Sequence, residues 1–270
     1  MINVERKTVT PEMASVWLTK NKRNRQINPR RVTMYAKEMR EGRWLDHHQG
    51  IAFYEDGSLA DGQHRLAAVV ESGESIAMIV ARNIPNKSGL MIDGHQQRQA
   101  HQAIKISGLA DWIGKDEAAT TKMIAQIDQD TSSSINMTHL DLIDYAERHK
   151  EAILFAHNTI TQKKRYLTTA MIKACVACAF YYEDTERLES FCRVIVSGMP
   201  ESQSDRPAIL LREFLFETAN HSGCGAGRIE VARRSMRAIK AFCEHQDLKK
   251  LYAPKVCIYK PPALSMGNDQ

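Results

Sequence analysis

The sequence predicts an α+β protein in which a small mixed sheet with flanking helices occupies about residues 1–110 and an all-α domain follows over 111–270. Three observations carry this reading. Stretches rich in β-formers fall in the first third of the chain, at Gly50 to Tyr54 and Ile76 to Val80. From about Ala103 onward strand signals largely vanish and helical periodicity takes over. The composition, 43% hydrophobic and 26% charged over 270 residues, is that of a globular chain able to bury a core in one large or two smaller domains.

The elements follow in order. Thr10-Pro11-Glu12 starts a short helix to about Lys20, with a capping hydroxyl, proline at the first helical position and Met13, Val16 and Trp17 on the apolar side. Asn21 to Arg25 interrupts it as a basic loop, and Asn28-Pro29 restarts a helix in which Val32, Tyr35, Ala36 and Met39 recur at helical spacing until Gly42. Gly50 to Tyr54 reads as a strand, Glu55 to Ser58 as a tight turn, and another strand is expected near it. After a turn at Asp61, Leu66 to Val70 continues as a helix that Ser72-Gly73 ends, and Ile76 to Val80 reads as a buried strand. Leu90 to Gly94 is an apolar run closing in an Asp93-Gly94 turn, followed by polar residues that include Arg98. Helical segments are expected near 116–128, 138–149, 150–160, 167–182, 184–197, 206–219 and 226–245, with loops at Thr131 to Ser134 and Ser222 to Gly227 and a loosely held tail after Pro261.

No apolar run approaches the roughly 18 residues that span a bilayer, and the first residues lack a secretory apolar stretch, so the protein is expected in the cytoplasm without a membrane partner. The six cysteines, Cys175, Cys178, Cys192, Cys224, Cys243 and Cys257, lack the spacing of a disulfide scaffold. Cys175 and Cys178 form a C-x-x-C, but within a continuous apolar stretch, which favours a buried helix face over a metal or redox pair. The net charge is +5, and residues 1–43 carry eleven Lys or Arg against four acids. That excess suits a nucleotide or nucleic-acid partner, although basic runs also occur as solvated faces. Lys163-Lys164-Arg165-Tyr166 presents the same two readings, DNA phosphates or solvent. His47 and His48 are neighbours in sequence and would point to opposite faces of a strand, so a structural or surface role is expected rather than metal binding.

The chemistry concentrates in Asp61-Gly62-Gln63-His64-Arg65, where a glycine turn feeds directly into a helix. Unpaired N–H groups at that helix start favour an anion. Arg65 offers a fork of donors to phosphate, His64 a donor or proton carrier, Gln63 a hydrogen bond to base, sugar or phosphate, and Asp61 a carboxylate for Mg²⁺ or for a hydroxyl proton. Arg23 and Arg25 of the basic loop, and Arg98, are further candidates to bind phosphates. Read structurally, Asp61 would cap the helix and Arg65 would pair with Glu71 or Asp56.

This turn resembles the D-G-Q-H-R motif of the ParB/sulfiredoxin superfamily, and within it is most similar to a ParB-like branch common in bacteriophages and mobile elements. The resemblance covers about residues 1–110 and, more loosely, the helical end at Ile239-Lys240-Ala241-Phe242. It implies a nucleotide phosphate held at Gly62, Gln63, His64 and Arg65, in a fold whose members include CTP-binding clamps, sulfiredoxins, free-serine kinases and nucleases. Sulfiredoxin chemistry needs a cysteine in the turn, where this chain has Gln63 and His64, and the clamps use a Gly-Glu-Arg-Arg-type turn. The kinases use Asp-Gly-His-His-Arg, which would make Asp61 and His64 catalytic. Their upstream glutamate base is matched here by Gln49, leaving Glu55 or Asp61 to take the proton.

The functional expectation is a nucleoside-triphosphate-binding enzyme, a Mg²⁺-dependent kinase or NTPase using ATP or another triphosphate, acting on a hydroxyl-bearing small molecule or a modified DNA base. The alternatives are a ParB-like DNA-binding or regulatory protein and a metal-dependent nuclease. DNA is a candidate partner, and the helical half is a candidate for homodimer formation, although no heptad seam marks an interface.

Overall fold

The computed structural model describes residues 1–22, 24–86, 99–219 and 227–263. The fold is α+β, with a four-stranded mixed sheet and a majority of helix. The chain divides into two compact units, Met1–Gln97 and Arg98–Gln270, earlier than residue 110. Arg23, Leu90 to Gly94, Arg98, Cys224, the Ser222 to Ala226 part of the expected loop and the tail from Leu264 lie outside the described residues.

The first unit runs β1 (Asn3–Val9), α1 (Pro11–Leu18), α2 (Pro29–Arg40), β2 (Ile51–Tyr54), β3 (Leu59–Asp61), α3 (Gln63–Ser72) and β4 (Ile76–Ile84). Both early helices start as their sequences predict. The Thr10 hydroxyl accepts from Met13 N at 3.3 Å, and the Asn28 side chain accepts from Arg30 N at 3.1 Å, each with proline next in the chain. The strand order is β1-β4-β2-β3, with β2 parallel to β4 and the outer pairs antiparallel. Strand β1 lies outside the sequence expectations, and the reason is visible in its side chains. It is an edge strand, exposed from Asn3 to Arg6, and Glu5, Arg6 and Lys7 suit an edge kept from pairing with other chains while hiding the hydrophobic alternation that identifies a strand.

Helices α1, α2 and α3 and the sheet share a core of Trp17, Val32, Met39, Ile51, Phe53, Leu66, Val69 and Val80. Trp17 and Phe53 meet edge to face at 5.2 Å, and the Arg82 guanidinium lies 4.8 Å from the Phe53 ring centre. This packing fixes α3, and therefore the turn before it, against the start of β2.

The second unit is helical: α4 (Ala100–Ser107), α5 (Lys115–Asp128), α6 (His139–Arg148), α7 (Lys150–Thr159), α8 (Ala170–Ala179), α9 (Thr185–Ser197), α10 (Arg206–Ala219) and α11 (Gly227–Cys243). Seven of these match the periodicity, and α4 is the addition, anchored by the buried Ile104. Helix α8 is buried along nearly its whole length, Cys175 and Cys178 included, and desolvation pushes both thiols above the ordinary range, the state of inert core cysteines.

Candidate functional site

The turn is built by close backbone approach. Gly50, entering β2, passes so near β4 that a Cβ there would sit 1.8 Å from the Ile79 carbonyl oxygen. Gly62 adopts φ +102°, and a Cβ would lie 2.6 Å from Ile51 Cδ1, so both its conformation and its surroundings require glycine. The two glycines bring the β2 entrance, the end of β3 and the first turn of α3 together.

Three of the motif side chains point inward. Arg65 donates to the Gly50 carbonyl from Nε at 3.0 Å and from Nη2 at 2.7 Å, and Nη2 also reaches Asp61 Oδ2 at 3.0 Å. Its partners are thus Gly50 and Asp61 rather than Glu71 or Asp56, and among the described residues Nη1 has none. Gln63 donates to the Arg25 carbonyl at 2.9 Å and accepts from Asn21 Nδ2 at 2.8 Å. Asn24 ties the same loop to Asn21 Oδ1 and the Leu59 carbonyl, both at 2.8 Å. His64 Nε2 accepts from Asn28 N at 3.0 Å. Gln63 and His64 therefore hold the basic loop and the cap of α2 against the start of α3.

Two consequences follow for chemistry. The His64 lone pair at Nε2 is committed to a backbone N–H, so the ring positions α2 and is not free to take a proton at that atom. Burial first, then the charges of Arg31, Arg25 and Arg65, against an opposing Asp61, hold its pKa below the usual histidine value. Positive charge therefore converges here: three arginines act on one ring where α2 and α3 begin.

Asp61 faces outward, with its side chain 54% exposed. Oδ1 accepts from Gly62 N at 2.7 Å and Oδ2 from Arg65, which leaves lone pairs on both oxygens for a cation or a donor. It accepts the N–H of the capping glycine and does not cap α3 directly. No group of three His, Cys, Asp or Glu gathers to hold a metal among the described residues, so at this turn Asp61 would provide one or two oxygens and a ligand's phosphates and water the rest. Glu55 is not brought to Asp61. It follows β2 at the hairpin turn, three residues past the Ala52 that pairs with Asp61, about 10 Å along the strand.

Arg25 is exposed beside this junction, and Arg98 lies outside the described residues. His47 is exposed and tilted on Trp44 at 5.4 Å. The residue that sequence reasoning passed over is Arg31. Its signal was available: Arg30 and Arg31 occupy the first turn of α2 with no acid there, the end where the helix dipole disfavours cations and favours an anion between them. Compared with known proteins, the chain matches no family model, no curated protein and no solved structure.

Proposed function

We propose that the first unit binds the polyphosphate of a nucleoside triphosphate where α2 and α3 begin, and that Asp61 serves a Mg²⁺-dependent kinase or NTPase. The observation that carries this is the His64–Asn28 bond, which joins two helix starts beneath Arg25, Arg31 and Arg65. A carboxylate with free lone pairs at the edge of that positive junction is where a phosphate-bound Mg²⁺ finds a protein oxygen. The resemblance of the turn to ParB/sulfiredoxin-type turns supports the same ligand class. Within this reading Gln63, His64 and the Arg65 Nε and Nη2 groups are positioning residues, while Arg25, Arg31 and Arg65 Nη1 meet the phosphates. Asp61 holds the metal ion or takes the proton of an acceptor hydroxyl, on a small molecule or a modified base in phage or mobile-element DNA.

One observation favours a second reading, nucleotide-controlled DNA binding without turnover. The His64 lone pair is already committed, and a ligand seated on the Arg25 loop would instead stiffen it. The deciding experiment is a thermal-shift and turnover panel with ATP, CTP and GTP, with and without Mg²⁺, on the intact chain and on Asp61→Asn. Mg²⁺-dependent stabilisation with phosphate release lost in D61N supports the enzyme. Stabilisation without turnover and with salt-sensitive DNA binding supports the regulatory form, plasmid nicking that needs Asp61 supports a nuclease, and no stabilisation by any triphosphate overturns the nucleotide site itself.

A further inference from the structure

The second unit contains a cavity of about 690 Å³ bounded by α5, α7, α8 and the 160–169 loop. Its floor is a polar cluster in a helical core. His157, 9% exposed, accepts or donates at Nε2 with Thr120 Oγ1 at 3.0 Å, while its Nδ1 lies 3.2 Å from Lys173 Nζ and 3.1 Å from Glu117 Oε1. Glu117 is otherwise engaged in closing the start of α5, accepting from Gly114 N at 3.1 Å. His157 is nearly buried and Glu117 and Lys173 are half-buried beside it, and partly desolvated charged groups are a poor way to stabilise a fold, since apolar residues of equal volume commonly do as well or better.

Beside this cluster the 163–166 segment is cationic. Lys163 pairs with Asp116 at 3.8 Å, but Lys164 and Arg165 have no carboxylate partner among the described residues. The backbone that carries them is held in place: the Thr168 hydroxyl accepts from Lys164 N at 2.9 Å and donates to Lys164 O at 3.0 Å, and Leu167 is buried, while the Arg165 guanidinium lies 4.8 Å from the Tyr166 ring centre. Tyr166 itself has φ +70°, a left-handed backbone conformation that a bulky side chain rarely adopts. A strained aromatic at the rim of a cavity is held there by its surroundings, which is how binding sites are commonly built.

We infer that this cavity binds a small phosphorylated molecule bearing hydroxyl or amino groups, its phosphate on Lys164, Arg165 and Lys173 and its donor groups on Asp116 and Glu117. The lining carries Lys163, Lys164, Arg165 and Lys173 against Asp116 and Glu117, a net positive charge that a phosphate dianion neutralises, and Lys173 keeps N–H groups beyond its contact with His157. The volume suits a sugar phosphate or a mononucleotide. Asp116 and Glu117 in the same lining would repel a continuous nucleic-acid backbone but accept from hydroxyls. The inference is independent of the triphosphate site in the first unit.

The test is calorimetric titration of the full chain with ribose 5-phosphate, AMP, inorganic phosphate and a short single-stranded DNA, on the parent and on two variants. Lys164→Ala with Arg165→Ala removes exposed side chains only, and Arg25→Ala is the control for the first unit. Saturable binding of ribose 5-phosphate or AMP that falls on the order of tenfold to a hundredfold in K164A/R165A and is unchanged in R25A is expected. Binding that instead falls only in R25A assigns the ligand to the first unit and overturns the inference. DNA binding stronger than either small molecule, steeply salt-dependent and lost in K164A/R165A, makes the loop a nucleic-acid surface and overturns it as well, as does the absence of binding by every phosphorylated probe at millimolar concentration.

Discussion

The Asp61–Arg65 turn and the Glu117–His157–Lys173 cavity each enclose a histidine, and they differ in what that histidine is bonded to. In the turn the partners are backbone: Asn28 N for His64, the Arg25 carbonyl for Gln63 and the Gly50 carbonyl for Arg65. In the cavity they are side chains: Thr120 at His157 Nε2, and Lys173 or Glu117 at Nδ1 according to whether that atom carries a lone pair or a proton. A side chain that satisfies buried backbone is part of the architecture, because removing it leaves a polar group without a partner. Side chains bonded to one another can exchange a partner for a ligand at far smaller structural cost. The residues that stand out in the sequence as a motif are therefore largely the frame of the first site, and those that stand out least form the floor of the second.

That contrast can be broken by substitution. The largest effect is expected at Arg65. Arg65→Met leaves the Gly50 carbonyl without its two donors and should lower the stability of the first unit by about 2–4 kcal/mol, read as a shifted urea midpoint. If R65M unfolds with the parent, the guanidinium is not architectural and the comparison fails. Gln63→Ala comes next, at about 1–3 kcal/mol. It also releases Asn21 and the Arg25 carbonyl, so amide exchange across 21–25 should quicken while α3 stays protected.

Acidification acts on both units with a smaller effect per residue. His64, His149 and His157 all have pKa values lowered below 6.5, burial being the largest cause for each. Below the ordinary value the unfolded chain takes up protons that the folded chain does not, so stability is fully present above pH 6.5 and declines as the pH falls from there. A thermal midpoint unchanged between pH 8 and pH 5 would contradict the burial of these rings. The smallest effects sharpen the contrast. Asp61→Asn should change stability by less than about 1 kcal/mol, since its ion pair with Arg65 is half exposed on the aspartate side, and K164A/R165A by less than about 0.5 kcal/mol. Loss of ligand binding without loss of stability in these variants marks side chains kept for function.

Much of this molecule was legible from local pattern. Thr10-Pro11 and Asn28-Pro29 announced two helix starts, Gly62 a turn, Gly73 a helix end, and the apolar period after Ala103 seven of the eight α-helices among the described residues of the second unit. Helix periodicity, caps and turns are set by residues within a few positions of one another, so the sequence determines them directly. It could not show that Gln63, His64 and Arg65 turn inward while Asp61 turns out. Their partners Arg25, Asn28 and Gly50 stand 38, 36 and 15 residues away. Nor could it show that residues as distant as Glu117, His157 and Lys173 share one floor. Those arrangements depend on how α3 settles between its neighbours and the sheet and how α5, α7 and α8 pack. The orientation of a polar side chain is decided only when packing reveals which backbone groups would otherwise be buried unpaired.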